Sequence, residues 1–260
     1  MRPATTELLR VTGVSKRFGG LQAVQAVDLQ ISKGQVYGLI GPNGAGKTTC
    51  FNLITGHYQA DSGDFVFRGQ PYKPSSPEAV ARMGISRTFQ NIRLFKSMTA
   101  LENVAIGMHT KTRQGVLASV LRTPAQRREE EQIRARAIAL LEYVGIATYA
   151  SHLATELSYG DQRKLEIARA LASEPGLLAL DEPAAGMNAT EKLRLRELIT
   201  RIRNDGTSIL LIEHDVKLVM GICDEVTVLD YGKVIAQGTP AEVQANPAVI
   251  EAYLGGLHHA

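Results

Sequence analysis

The chain has 260 residues, of which 44% are hydrophobic and 21% charged. That supplies one large core, or one core with a smaller appended lobe, and leaves little room for a third domain. The formal charge is only +3, so the sequence carries no polybasic face that demands nucleic acid, although the pI is near 8.8.

Cys50 and Cys223 are far apart and lack C-x-x-C spacing, which suggests neither a disulfide framework nor a thiolate metal site and fits a reducing cytoplasm. No apolar run approaches the roughly 18 residues needed to span a bilayer. The opening MRPATTELLRVTG turns polar before any secretory core develops. Work at a membrane would therefore depend on another chain.

In chain order, short β-like runs occupy residues 8–14, 24–31 and 35–40, the last stopping at a glycine-rich loop that precedes a helix. A further short strand is expected at residues 65–67, after the turn signal Asp61-Ser62-Gly63. From about 77 to 158 the pattern is helical, and the run Arg127, Arg128, Glu129, Glu130, Glu131 reads as a solvated helix face. After Pro175 the order is strand (177–180), helix (190–203), strand (208–212), helix (216–222), strand (225–229). Strands alternating with helices argue for an α/β fold with a mainly parallel sheet covered on both faces. There is no internal repeat, and the end from Gly255 and Gly256 to His-His-Ala reads as a frayed tail.

The segment GPNGAGKTT (Gly41, Pro42, Asn43, Gly44, Ala45, Gly46, Lys47, Thr48, Thr49) satisfies G-x-x-x-x-G-K-[ST]. It sits between an apolar strand and a helix, where the phosphate-cradling mechanism needs it. Its glycines let backbone N–H groups face phosphate oxygens, Lys47 neutralises them, and Thr48 can ligate Mg²⁺. LLALDEP places Asp181 and Glu182 at the end of a buried strand, where unpaired carboxylates are costly unless a metal or a reacting water accounts for them. Asp181 is expected to hold Mg²⁺ through water, and Glu182 to polarise the attacking water. In LSYGDQRKLEIARAL, Ser158 and Gly160 precede a helix with an apolar stripe of Leu165, Ala168 and Leu171. This segment could contact a γ-phosphate, although an ordinary Ser-capped helix explains it equally well when it is read alone.

Taken together, these segments make the chain resemble, over nearly its whole length, the nucleotide-binding subunits of ATP-binding-cassette (ABC) transporters. The resemblance implies the ABC-ATPase form of the P-loop NTPase fold: a mainly parallel core sheet, an N-terminal antiparallel β-subdomain, an inserted helical subdomain at about 88–165 and a short helical tail at about 240–260. It implies that LSYGDQ, which keeps Ser158, Gly160 and Gln162 but has Tyr159 and Asp161 in place of commoner residues, closes over ATP held by another subunit. Phe18 looks like the aromatic that stacks on adenine, Gln90 in RTFQNIRLF like the glutamine that approaches Mg²⁺, and His214 in LLIEHD like the switch histidine on the γ-phosphate. AAGMN (184–188) stands at the D-loop position but departs from its frequent S-x-L-D form. Within the family, the motifs around Gln90, Ser158, Asp181 and His214, with PAVIEAYLGG near the end, are most similar to the ATPases of branched-chain amino acid importers. That resemblance implies ATP and Mg²⁺ as cofactors and a head-to-tail dimer with itself or a paralogous ATPase. It also implies transmembrane permease partners docked near residues 87–101, a periplasmic binding protein as an indirect partner, and a peripheral location on the cytoplasmic face of the bacterial inner membrane, without nucleic acid.

Overall fold

A computed structural model describes residues 6–108 and 124–255. Two compact units emerge, one made of Met1–Arg87 with Gly176–Ala260 and the other of Thr88–Pro175.

The first unit holds two sheets. Long strands β1 (Glu7–Phe18) and β2 (Leu21–Ser32) pair antiparallel, and β4 (Ser62–Phe67) and β5 (Gln70–Tyr72) extend them in the order β2-β1-β4-β5. The second sheet has the order β10-β9-β3-β8-β7-β6. Its strands are β3 (Val36–Ile40), β6 (Ile85–Arg87), β7 (Leu177–Asp181), β8 (Ser208–Ile212), β9 (Glu225–Asp230) and β10 (Lys233–Gly238). Five of them run parallel, and β10 pairs antiparallel at the edge. Every position of β3, β7 and β8 is buried, which is why these strands read as continuous apolar runs rather than alternating ones. A single core joins both sheets to helix α1 (Lys47–Ile54) through Phe51, Leu53, Ile54, Val24, Leu39, Tyr72 and Leu210.

Around the sheets lie α2 (Pro77–Met83), α6 (Ala189–Asn204), α7 (Val216–Ile222), α8 (Pro240–Gln244) and α9 (Pro247–Gly255). At Gly38 an added Cβ would come within 3.0 Å of Cys223 Sγ, so α7 and the residue after it lie close against β3. Both cysteines are buried, and burial pushes the Cys50 thiol up to about 12, which makes it inert.

The second unit contains α3 (Ala100–Gly107), α4 (Pro124–Tyr143) and α5 (Tyr159–Leu171). A capping box between Thr99 and Glu102 starts α3. An added Cβ at Gly107 would lie 2.3 Å from the Arg169 carbonyl, so α3 meets α5 at a glycine. On α4, Ala137 and Leu141 are fully buried four residues apart, whereas Arg128, Glu130 and Glu131 are exposed, as a solvated face requires. Leu165 and Ala168 of the stripe on α5 are fully buried and Leu171 is half-buried. The side chain of Arg127 and the tail from Gly256 lie outside the described residues.

Three strands depart from the sequence reading, the first being β5, a three-residue edge strand defined by its antiparallel pairing with β4. β6 lies inside the stretch read as helical, because three residues, two of them polar, show no period of their own and become a strand by pairing with β7. β10 has half-exposed and exposed residues and is defined by its hairpin with β9.

Candidate functional site

The loop after β3 enters α1 with unused capping capacity. Gly46 takes the N-cap position at φ +98°, offers no side-chain oxygen, and is followed by no acidic residue in the first turn. The first N–H groups of α1 and the positive end of its dipole are therefore presented without an internal anion.

Two of the loop's glycines are fixed by the chain's own backbone. A Cβ at Gly41 would sit 2.1 Å from the Leu229 carbonyl oxygen, and one at Gly46 2.3 Å from that of Ala23. Gly44, at φ +81°, faces open space instead. Behind the loop, the turn between β9 and β10 places Tyr231 and Gly232 both at positive φ, the pattern of a tight two-residue hairpin. There the Gly232 N–H donates to the Ala45 carbonyl at 3.0 Å, and the Gln25 N–H donates to the Gly232 carbonyl at 2.7 Å. Lys47 Nζ donates to the carbonyls of Gly41 at 2.7 Å and Pro42 at 2.8 Å. Burial lowers the Lys47 ammonium below its ordinary value, against the opposing charge of Glu182. Asn43 and Thr48 are exposed, and Pro42 and Thr49 are half-buried.

Asp181 closes β7 and is only 3% exposed. It is not unpaired, as the cost argument from the sequence assumed: Arg87 Nη2 donates to its Oδ2 at 3.0 Å. Glu182 follows in the left-handed region at φ +46°, with its N–H donated to the Ile212 carbonyl at 2.9 Å. His214, whose side chain is 61% exposed, brings Nδ1 to 3.8 Å from Glu182 Oε2. The structure thus gathers Lys47, Glu182 and His214 around the ends of β3, β7 and β8.

Glu213 was missed by the sequence reading. It is buried and accepts the backbone N–H groups of Ala184 (2.8 Å), His214 (3.2 Å) and Asp215 (3.4 Å), so it shapes the backbone on both sides of the site. Burial pushes its carboxyl above the usual range. An acid ending the apolar run SILLI is the same signal that singled out Asp181, and it would have found Glu213. In the D-loop position, Asn188 accepts the Glu191 N–H and starts α6 with a capping box.

Among the described residues no cluster of three or more His, Cys, Asp or Glu could hold a metal. The donors present, a Thr48 hydroxyl and an Asp181 carboxylate, are hard oxygens too few for an all-protein cage. They suit Mg²⁺, which takes one or two carboxylates and completes its shell with phosphate oxygens and water. Phe18, at the end of β1, is a surface ring at 42% exposure rather than a core residue. It meets Tyr58 edge-on at 5.2 Å and Lys16 Nζ at 5.5 Å.

The other expected site residues belong to the second unit. Ser158 is exposed and caps α5 by accepting the Asp161 N–H at 3.2 Å, while its hydroxyl donates to Asp161 Oδ2 at 2.8 Å. Gly160 is buried, and Gln162 donates to the Leu157 carbonyl at 2.9 Å. Gln90 is exposed, and its carbonyl accepts from Arg163 Nη2. Arg163 is a fully buried clamp that no sequence signal revealed: it also donates to the Phe89 carbonyl at 2.6 Å and to the Tyr159 hydroxyl at 2.9 Å. Tyr159, a departure from the common signature, thus serves to anchor this arginine.

A family profile described as ABC transporter matches residues 24–185, and one described as branched-chain amino acid ATP-binding cassette transporter matches residues 233–259. The chain is 48% identical to the high-affinity branched-chain amino acid transport ATP-binding protein LivG of Salmonella typhimurium, over 95% of this chain and 98% of that protein. It is 46% identical, over the same shares, to the ATP-binding protein BraF of Pseudomonas aeruginosa, which bears the same transport description. Among solved structures it resembles the ADP conformation of MJ1267, an ATP-binding cassette of an ABC transporter, with a TM-score of 0.84 and 33% identity over 96% of this chain and all of that one. A nucleotide-free ATP-binding cassette gives a TM-score of 0.83 at 32% identity, over 95% of this chain and 99% of that one. With the fold, the loop before α1 and these likenesses in agreement, the chain belongs to the ABC transporter family and is an ATPase of the ATP-binding-cassette type.

Proposed function

We propose that this ATPase drives import of branched-chain amino acids, as a single nucleotide-binding domain on the cytoplasmic face of the bacterial inner membrane. The observation that carries the cargo assignment is the match of residues 233–259 to the branched-chain profile, beside full-length relatives named for that transport. Its partners are transmembrane permease subunits, a second copy or a related ATPase, and, indirectly, a periplasmic binding protein. No helix among the described residues is long and apolar enough to cross a membrane, so the chain reaches the bilayer through those permeases.

The reaction is transfer of the γ-phosphoryl group of ATP to water, in which catalysis is mainly positioning and charge neutralisation. The N-terminus of α1 and the backbone of Gly41 to Thr49 receive the phosphates, and Lys47 turns from its own loop carbonyls to the β and γ oxygens. Thr48 and Asp181 would hold Mg²⁺, with Gln90 the further residue that the family resemblance implies for it, and the ion would neutralise charge on the phosphate oxygens. Glu182 orients the attacking water and takes up its proton, and His214 contacts the γ-phosphate. Phe18 stacks on adenine, worth roughly 1–3 kcal/mol. Ser158, Gly160 and Gln162 of the opposing subunit close over the nucleotide, so each chain supplies half of two sites. The approach of His214 to Glu182 at 3.8 Å supports this assignment of roles.

Uptake of leucine, isoleucine and valine in cells lacking this chain, complemented with wild type or with Glu182→Gln, tests the reading. Restoration by wild type alone is expected. Normal uptake in the deletion, with ATP hydrolysis intact in the purified protein, would move the cargo to another solute such as urea or a short amide.

A further inference from the structure

Arg87 is a group for which the reaction above has no use. Its position follows from the sheet: β6 pairs parallel with β7 so that Arg87 lies beside Ala179, and Asp181, two residues on, shares that face. The guanidinium is nearly buried, with its side chain 11% exposed and that of Asp181 4%. One nitrogen, Nη2, donates to Asp181 Oδ2 at 3.0 Å. The other, Nη1, lies 2.6 Å from Asn52 Oδ1, 3.0 Å from Thr55 Oγ1 and 3.2 Å from His57 Nδ1, and the guanidinium packs 4.6 Å from the ring centre of Phe51. A full positive charge is therefore tethered by α1 and the residues just after it against the acid that closes β7.

Resting on the nucleotide-site reading above, we infer that Arg87 is the counter-ion of Asp181 in the metal-free protein and thereby a positioning residue that weakens the hold on Mg²⁺. A buried carboxylate is costly when alone, and Arg87 offsets that cost whenever no cation is near. When a divalent cation comes to the same carboxylate, the guanidinium repels it across a short, poorly hydrated distance. Arg87 thus stabilises the metal-free form more than the metal-bound form, which by linkage lowers cation affinity and favours release after each turnover. An arginine that merely orients the carboxylate would act in the opposite sense, because its loss would weaken the cation site.

The test is Mn²⁺ binding by the full-length protein in the presence of ADP, followed by electron paramagnetic resonance, together with ADP binding in excess chelator. Arg87→Gln, which keeps amide donors but removes the charge, is expected to bind Mn²⁺ at least about tenfold more tightly, with chelator-condition ADP affinity within about twofold of wild type. Arg87→Lys, which keeps the charge, is expected to stay within about threefold of wild type in Mn²⁺ affinity. Unchanged or weaker Mn²⁺ binding in Arg87→Gln would overturn the counter-ion role, as would an equal gain in Arg87→Lys. Should Arg87→Gln fail to fold, the double variant with Asp181→Asn, which has no charge left to offset, is expected to fold, and its failure would overturn the role equally. Lack of Mn²⁺ binding with ADP in the wild type would instead strike the nucleotide-site reading itself.

Discussion

Lys47 illustrates how one side chain is held ready at small cost. Its ammonium is partly desolvated, which lowers its pKa, yet two loop carbonyls at 2.7 and 2.8 Å keep it hydrogen-bonded and aimed along the loop. Exchanging those carbonyls for phosphate oxygens converts neutral acceptors into charged ones, worth about 1.5–3 kcal/mol. Lys47→Ala is accordingly expected to weaken ATP binding by roughly 10- to 100-fold, measured by titration with a fluorescent ATP analogue. Unchanged affinity would remove Lys47 from the site. Glu213 gives a second prediction, in pH. Burial raises its folded value above its unfolded one, so between the two the folded chain keeps a proton that the unfolded chain has released, and stability falls as pH rises through that window. Glu213→Gln should therefore flatten the melting temperature against pH just above the ordinary carboxylate range; an identical profile in the variant would contradict the assignment. Sequence reasoning singled out Lys47 because a contiguous pattern marks it. It missed Arg87 and Arg163 because their partners lie up to 94 and 74 residues away in the chain.

At the scale of elements, the loop before α1 is shaped from behind as much as by any ligand. Gly46 is held against Ala23 and the β9–β10 turn, whereas Gly44 has no close neighbour. Gly44→Ala should cost only the left-handed backbone term of about 1–2 kcal/mol. Gly46→Ala should cost more, because its Cβ would also sit 2.3 Å from a backbone oxygen that cannot yield without moving β2. Denaturant melts of the two variants read this directly, and equal destabilisation would contradict the buttress. The elements themselves were legible in proportion to their burial. β8 and α7 have the limits that the sequence indicated, residues 208–212 and 216–222, because a continuous apolar run and an Asp215 cap mark them locally. β6 and β10 carry no such mark, and pairing partners alone define them.

For the molecule as a whole, the α/β class followed from alternating strands and helices, and the antiparallel sheet came from the family resemblance. The strand order β10-β9-β3-β8-β7-β6 could not be read from periodicity, since it depends on which parallel neighbours each crossover selects. It is this order that brings the ends of β3, β7 and β8 side by side, and so makes Lys47, Asp181, Glu182 and His214 one constellation. The central claim is that this constellation hydrolyses ATP with Glu182 placing the water. Phosphate release from Mg·ATP by the purified full-length chain, wild type against Glu182→Gln, tests it most directly, with nucleotide binding measured on the same samples. The rate is expected to be lower by roughly 10²- to 10⁴-fold in the variant, with ATP binding retained. Hydrolysis at the wild-type rate, or loss of nucleotide affinity in its place, would contradict it.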